Sequence, residues 1–162
     1  MQRKIIIISL ILFMPILIFT GCTSTEQNKT SVITEKQSKK ILDLSSKQLE
    51  KVPEYVFSQT KLEQLDISGN HLTGAIQAEI RHLSDLEILN ASNNNMTGVP
   101  AEIGQLSKLR ILNLSNNQLT GLPYELGNLK NLETLNISGN DYSELDLDII
   151  LKSLPKNVKI IK

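Results

Sequence analysis

The sequence predicts an α/β solenoid: a short arc of about five coils, with a parallel β-sheet on the concave face and helical or 3₁₀ turns on the convex face. A capping helix and an edge strand should close its C-terminal end. Three observations carry this expectation. Leu62, Leu86, Leu109 and Leu132 open segments spaced 24, 23 and 23 residues apart. Each segment begins with apolar residues at period 2, the mark of a short strand with one buried face. An asparagine then recurs at the same place in each copy, as Asn70, Asn94, Asn117 and Asn140. One such unit cannot bury its own apolar edge, so neighbours must stack.

Composition narrows the chemistry. The 162 residues suffice for one domain with an appendage. Lys plus Arg and Asp plus Glu both number 17, so no basic face is available to displace the counterions of a nucleic acid. With three Tyr, three Phe and no Trp, base-stacking platforms are equally poorly supplied. Two His and one Cys cannot complete a four-ligand zinc site from nitrogen and sulfur alone, and one Cys cannot close an internal disulfide. No metal, cofactor or catalysis is expected.

The first element is an address. Arg3 and Lys4 precede a 15-residue stretch, Ile5 to Phe19, interrupted only by Ser9 and Pro15. A basic start followed by an apolar run is the pattern of a signal peptide. As a helix the run would span about 22 Å against a hydrocarbon core of about 30 Å. The next residues, Ile18-Phe19-Thr20-Gly21-Cys22, resemble the lipobox of bacterial lipoprotein precursors, with Phe19 where that family prefers Leu. The resemblance implies diacylglyceryl modification of Cys22 and cleavage before it, leaving residues 1–21 as the signal peptide. An ordinary signal peptide with a free thiol, or an uncleaved anchor, are the alternatives. After cleavage 15 basic residues face 17 acidic ones, because Arg3 and Lys4 are lost. A chain so nearly neutral offers no polybasic second anchor, so the acyl chains themselves must hold it.

Residues 22–38 follow as a tether, rich in Ser, Thr, Lys, Gln and Glu and too poor in apolar surface to offset the entropy of folding. Its coil reach is about 20–25 Å.

Residues 39–162 hold the repeats. The frame runs Leu62, Leu65, Ile67, Asn70, Leu72, then Leu86, Leu89, Ala91, Asn94, Met96. It continues with Leu109, Leu112, Leu114, Asn117, Leu119 and with Leu132, Leu135, Ile137, Asn140, Tyr142. An earlier copy has Leu42, Leu44, Leu49 and Val52-Pro53, with Lys47 in place of the asparagine. This frame resembles the leucine-rich repeat family in its 23-residue form, over roughly residues 39 to 155. Ile103 with Leu106, and Leu126 with Leu129, give i, i+3 apolar pairs on a short return turn, whose leading Pro costs nothing at a first-turn position. The recurrent carboxamides can donate and accept at the bend after each strand, so stacked asparagines are read as a structural ladder. Lys47 suits a first coil with no upstream neighbour. The extra residue of the second copy falls at Thr73-Gly74-Ala75-Ile76, similar to the wording of plant-type repeats, where a local bulge is expected. Ser143 to Asp146 resembles a capping box. Leu147, Ile150, Leu151 and Leu154 then mark the inward face of a helix that Pro155 ends, and Val158 to Ile161 reads as the closing strand.

Function, by the family resemblance, would sit on the concave strand face. Alternation turns Ile41, Gln64, Ile88, Ile111 and Thr134 outward in one column, and Asp43, Asp66, Asn90, Asn113 and Asn136 in the next. The same alternation places Ser45, Ser68, Ser92, Ser115 and Ser138 in a third outward column, where truncation of Ser115 to Ala should cost no more than about 0.5 kcal/mol. Lys40, Glu63, Glu87, Arg110 and Glu133 form a charged column expected to be a solvated rim. Asp43 and Asp66 could in principle serve hydrolysis at one strand spacing, but an open face builds no pocket over them. Asn113-Leu114-Ser115 and its equivalents match glycosylation sequons, to which no weight attaches. His71 and His82 read as surface residues. The expected activity is non-catalytic binding of an unidentified protein or envelope macromolecule by a monomer attached to the membrane through Cys22. A structural spacer without a ligand is the alternative. The expected place is the cell envelope: the outer membrane if the cell is Gram-negative, because Thr23 rather than Asp follows the cysteine, and otherwise the outer face of the plasma membrane.

Overall fold

The computed structural model describes residues 40–162. The expected signal peptide, Cys22 and the tether lie outside the described residues.

Eight short strands and one helix are wound as successive coils. The strands are β1 (Ile41–Asp43), β2 (Gln64–Asp66), β3 (Thr73–Gly74), β4 (Ile88–Asn90), β5 (Asn95–Met96), β6 (Ile111–Asn113), β7 (Thr134–Asn136) and β8 (Lys159–Ile161), and the helix α1 spans Glu144–Leu151. A six-stranded parallel sheet runs in the order β1-β2-β4-β6-β7-β8. Its register sets Leu42, Leu65, Leu89, Leu112, Leu135 and Ile160 in one line, and the four central leucines are fully buried.

Opposite the sheet, 3₁₀ turns at Glu54–Ser58, Ala78–His82, Ala101–Gln105 and Tyr124–Asn128 return the chain. Three begin on a proline in extended conformation and one on Gln77. A 3₁₀ turn rises about 2.0 Å per residue against 1.5 Å for an α-helix, so it carries the chain farther round a coil of fixed length. Val56, Ile80, Ile103 and Leu126 point from these turns into the core and meet the leucines of the sheet. The turns pack closely. A Cβ on Gly104 would collide with the backbone of Glu125 in the next coil, so that position admits only hydrogen.

Three expectations are corrected here. Thr73–Gly74 is more than a bulge: β3 pairs with β5 as a second, two-stranded parallel sheet, with Gly74 at φ 65°. The extra residue lets this stretch extend beside the next coil. Pro155 does not end the helix, which stops at Leu151, where the amide of Ser153 closes a tighter i→i−3 turn on the carbonyl of Ile150. Leu151 consequently lies outside the core, 38% exposed, while Leu147, Ile150 and Leu154 are buried. Of the expected capping box the serine half forms, with Ser143 Oγ accepting from the amide of Asp146 at 3.3 Å, whereas the Asp146 carboxylate accepts from the Leu122 amide and the Tyr124 hydroxyl.

Candidate functional site

The asparagine ladder defines the bend that ends each strand. Asn94 Nδ2 donates to the carbonyls of Ile67, Ala91 and Ser92 at 3.0, 3.2 and 3.1 Å, and its Oδ1 accepts from the amide of Leu72 at 3.1 Å. Asn117 repeats this one coil on, with Ala91, Leu114 and Ser115 as acceptors and Met96 as donor. Asn140 does so with Leu114, Ile137, Ser138 and Leu119. Asn70 bonds the carbonyls of Leu44, Ile67 and Ser68 and accepts from both Lys47 and Leu49. In every case the previous coil supplies part of the cage. Lys47 stands at the asparagine position of the first described coil, and its amide is satisfied by Asn70 of the second.

Beside the ladder, the outward columns fall as the register requires. Ile41, Gln64, Ile88, Ile111 and Thr134 align, and β8 adds Lys159. Asp43, Asp66, Asn90, Asn113 and Asn136 align next to them, and β8 adds Ile161. Sequence reasoning left Lys159 and Ile161 out because it read β8 only as an edge, although its own register shows which side chains continue the columns. Ile88 and Ile111 are half-buried neighbours, whereas Ile41 is 57% exposed at the end of the column.

The serine column is not outward, and this corrects the alternation read from the sequence. Ser92 and Ser115 are buried. Each serine hydroxyl reaches back two residues: Ser68 Oγ to Asp66 Oδ1 at 2.6 Å, and Ser92, Ser115 and Ser138 to Asn90, Asn113 and Asn136 at 2.8 Å. Backbone amides of the same serines share those acceptors. The strands last only three residues, so period-2 reasoning fails at the seventh position. The unread signal was Asp/Asn-x-Ser in five successive copies, a side-chain turn motif that happens to spell a sequon in three of them. A second unread signal lay one residue later. Ser46, Gly69, Asn93, Asn116 and Gly139 all have φ between 53° and 68°, a conformation that Gly and Asn tolerate best.

These bonds decide what the face can offer. Asn113 Oδ1 accepts both the amide and the hydroxyl of Ser115, at 3.1 and 2.8 Å, which occupies both its lone pairs. Asn136 is arranged alike with Ser138. Their amide groups therefore present N–H donors and no free acceptor. Asp66 accepts from Ser68 on one oxygen and from Asn90 Nδ2, at 3.0 Å, on the other. Asp43 is held below the usual carboxylate range by the hydroxyl and amide of Ser45. The face thus runs from acceptors at β1 and β2 to donors at β6 and β7.

The rim is organised rather than merely solvated. Arg110 donates to both oxygens of Glu133, at 2.8 and 3.1 Å, and lies 3.7 Å from Glu87. Asp85 sits between Lys61 and Lys108 at 3.1 and 2.7 Å. Hydrogen bonds from both lysines lower its carboxyl, just as Arg110 lowers that of Glu133. His71 and His82 are exposed. Among the described residues no three His, Cys, Asp or Glu side chains are placed to hold a metal ion.

Comparison with known proteins adds the following. The profile of the Leucine rich repeat family matches residues 40–96 and again 85–141. No curated protein matches the chain. Among solved structures, a leucine-rich repeat protein of Leptospira interrogans is 40% identical over 68% of this chain and 28% of its own, with a TM-score of 0.64. The plant peptide hormone receptor RGFR1, solved in complex with RGF2, is 35% identical over 75% of this chain and 20% of its own, with a TM-score of 0.60. The ectodomain of the Arabidopsis thaliana receptor kinase GASSHO1/SCHENGEN3, solved in complex with CASPARIAN STRIP INTEGRITY FACTOR 2, is 39% identical over 57% of this chain and 11% of its own, with a TM-score of 0.53. The chain thus spans less than a third of the length of these proteins. With the repeat frame, the ladder and the family profile coinciding over most of the described residues, the chain belongs to the leucine-rich repeat family.

Proposed function

We propose that this protein is a lipid-anchored envelope module that binds a peptide or protein segment, without catalysis, on the outward face of its six-stranded sheet. The observation that carries the reading is the apolar pair Ile88 and Ile111 on adjacent strands, flanked by the donor-only amides of Asn113 and Asn136. An apolar centre with a polar border is the usual anatomy of an interface. Amide donors in a row suit a ligand rich in carbonyl or carboxylate oxygens, such as an extended polypeptide. Similarity to receptor ectodomains solved with bound ligands supports a ligand of this class. The face has no Trp, Tyr or Arg anchor, so affinity in the micromolar range is expected, about −8 kcal/mol.

The anchor rests on the lipobox-like run ending at Cys22, which would hold the module at the outer membrane of a Gram-negative cell or on the outer face of a plasma membrane. Replacing Cys22 by Ala should abolish incorporation of radioactive palmitate and cleavage before residue 22. Undiminished labelling would refute the anchor without touching the binding reading.

Binding is tested by capture from envelope extract with the wild-type chain and with an Ile88→Glu plus Ile111→Glu variant. Both side chains lie on the outer face of the sheet, so the variant should fold with an unchanged circular dichroism spectrum. It should lose the wild-type's partners. Equal capture by both would move binding off the sheet face, and capture by neither would leave the repeats as a structural spacer.

A further inference from the structure

We infer, on the basis of the peptide-binding reading above, that the sheet face selects an amphoteric peptide. The segment crosses the strands with a basic group at Asp66, an apolar side chain at Ile88 and Ile111, and an acidic group at Lys159. Each of the six strands turns two side chains outward, and among these only Asp43, Asp66 and Lys159 are charged. The two acids stand on the neighbouring strands β1 and β2, and the base stands on β8. The strands between them present Ile88, Asn90, Ile111, Asn113, Thr134 and Asn136, all neutral.

Hydrogen bonding sharpens the division. Asn90 gives an N–H to Asp66 and its oxygen to Ser92, so polarity changes between β4 and β6, where Ile88 and Ile111 adjoin. Beyond that line Asn113 and Asn136 offer N–H groups. Lys159 adds an ammonium that is exposed and joins no ion pair among the described residues. On the acidic side Lys47 lies near Asp43, which leaves Asp66 as the centre of that pole. The rim does not repeat the asymmetry. Lys40 and Glu63 offset one another beside β1 and β2, and Arg110 holds Glu133 at 2.8 Å and lies 3.7 Å from Glu87 beside the middle strands. A ligand of a single sign therefore meets a like charge at one pole, and only a ligand carrying both signs matches both. Spacing sets its length. Four strand spacings of about 4.8 Å separate β2 from β8, about 19 Å in all, which an extended chain covers in about six residues. Its middle then falls on β6, beside Ile111. The strands are three residues long, so the chain must run across them.

The test titrates the full chain, produced in bacterial cells and held in detergent, with three capped, dye-labelled heptapeptides read by fluorescence anisotropy. All share a central Leu and Ser-Gly spacers; one has Lys first and Glu last, one has Lys at both ends, and one has Glu at both ends. The mixed peptide should bind about tenfold more tightly than either of the others. Lys159→Glu should weaken the mixed peptide several-fold and strengthen the Lys-only peptide by as much. Asp43→Asn with Asp66→Asn should weaken the mixed peptide likewise and strengthen the Glu-only peptide. Asn is what β4, β6 and β7 carry at that place, with its oxygen accepting from the serine two residues on, so this variant keeps its turns. A gain in affinity cannot come from misfolding. Equal affinity of the wild type for the three peptides would overturn the inference. Preference for a single-sign peptide would give the face to an acidic or a basic partner and overturn it as well. The Ile88→Glu plus Ile111→Glu variant separates these results from failure of the peptide-binding reading. If it loses all three peptides while the wild type is blind to their charge, sheet binding stands and the charge selection alone falls. If it binds them as the wild type does, they bind elsewhere and both fall. Binding of no peptide, with partners still captured from extract by the wild type, again removes the charge selection alone.

Discussion

Asn94 and its equivalents each hold four or five backbone groups, of which the serine carbonyl alone also accepts from a neighbouring coil, as that of Ser92 does from the amide of Gly69. Removing the carboxamide leaves buried carbonyls and an amide unpaired, at about 1–3 kcal/mol for each group left unsatisfied. Asn94→Ala should therefore cost more than about 2 kcal/mol in urea melts, and Asn94→Asp at neutral pH should cost no less, because it deletes the donor and buries a charge. Leu112→Ala, at a fully buried position, should cost about 2–5 kcal/mol. Ser115→Ala is now expected to cost about 1 kcal/mol, the worth of a buried hydrogen bond, instead of almost nothing. Ser46, the one member of its column that is neither Gly nor Asn, sits at φ 55°. Ser46→Gly should raise stability by about 0.5–1 kcal/mol, read as an increase in the urea midpoint. At this scale the inward leucines and the ladder were legible because identical slots impose identical residues. The serines were not, because their partners lie two residues away along the chain and alternation says nothing about a turn.

The elements were legible to the extent that they follow from periodicity. Strands, return turns and the capping helix appear where apolar spacing places them. The end of α1 does not, since a proline marks where a helix cannot continue and not where it stops. Two measurements check the helix. Ser143→Ala should cost about 1 kcal/mol through the lost cap. Leu147→Ala should cost about 2–5 kcal/mol, while Leu151→Ala, at a partly exposed position, should cost well under half as much. Among the return turns, Gly104→Ala should destabilise by about 1–3 kcal/mol, because two backbones meet there and neither can yield as a side chain would.

Across the described residues, one apolar core passes through every coil, bordered on one side by hydrogen-bonded asparagines and on the other by close-packed turns. The charged rim lies outside this core, and its effect is on acid behaviour. Asp43, Asp85 and Glu133 all titrate below their ordinary values. Carboxylates lowered by folding contribute fully above the unfolded value of about 4 and lose that contribution as pH falls through their folded values. NMR titration of the side-chain carboxyls should give midpoints for these three below those of exposed, unpaired Asp and Glu. Added salt should narrow the difference for Asp85 and Glu133, which depend on cations, more than for Asp43, which depends on Ser45. The face was legible in its columns but not in its polarity, since the direction of a carboxamide depends on which neighbour takes its oxygen.

The ladder also gives the molecule a direction in time. Asn94 closes bonds for Ile67 and Leu72, Asn117 for Ala91 and Met96, and Asn140 for Leu114 and Leu119, always reaching toward residues made earlier. On a ribosome, each coil would leave the exit tunnel with its bend unfinished and be completed only when the following asparagine emerged, some 21 to 27 residues later. A nascent chain would then always carry one incomplete coil at its growing end. The coil that β7 opens is likewise completed only when β8 follows, with the carbonyl of Ile161 accepting from the amide of Ile137. A stop codon placed at any repeat boundary should accordingly yield a product whose final bend is open, and its turnover by cellular proteases should exceed that of the full-length chain.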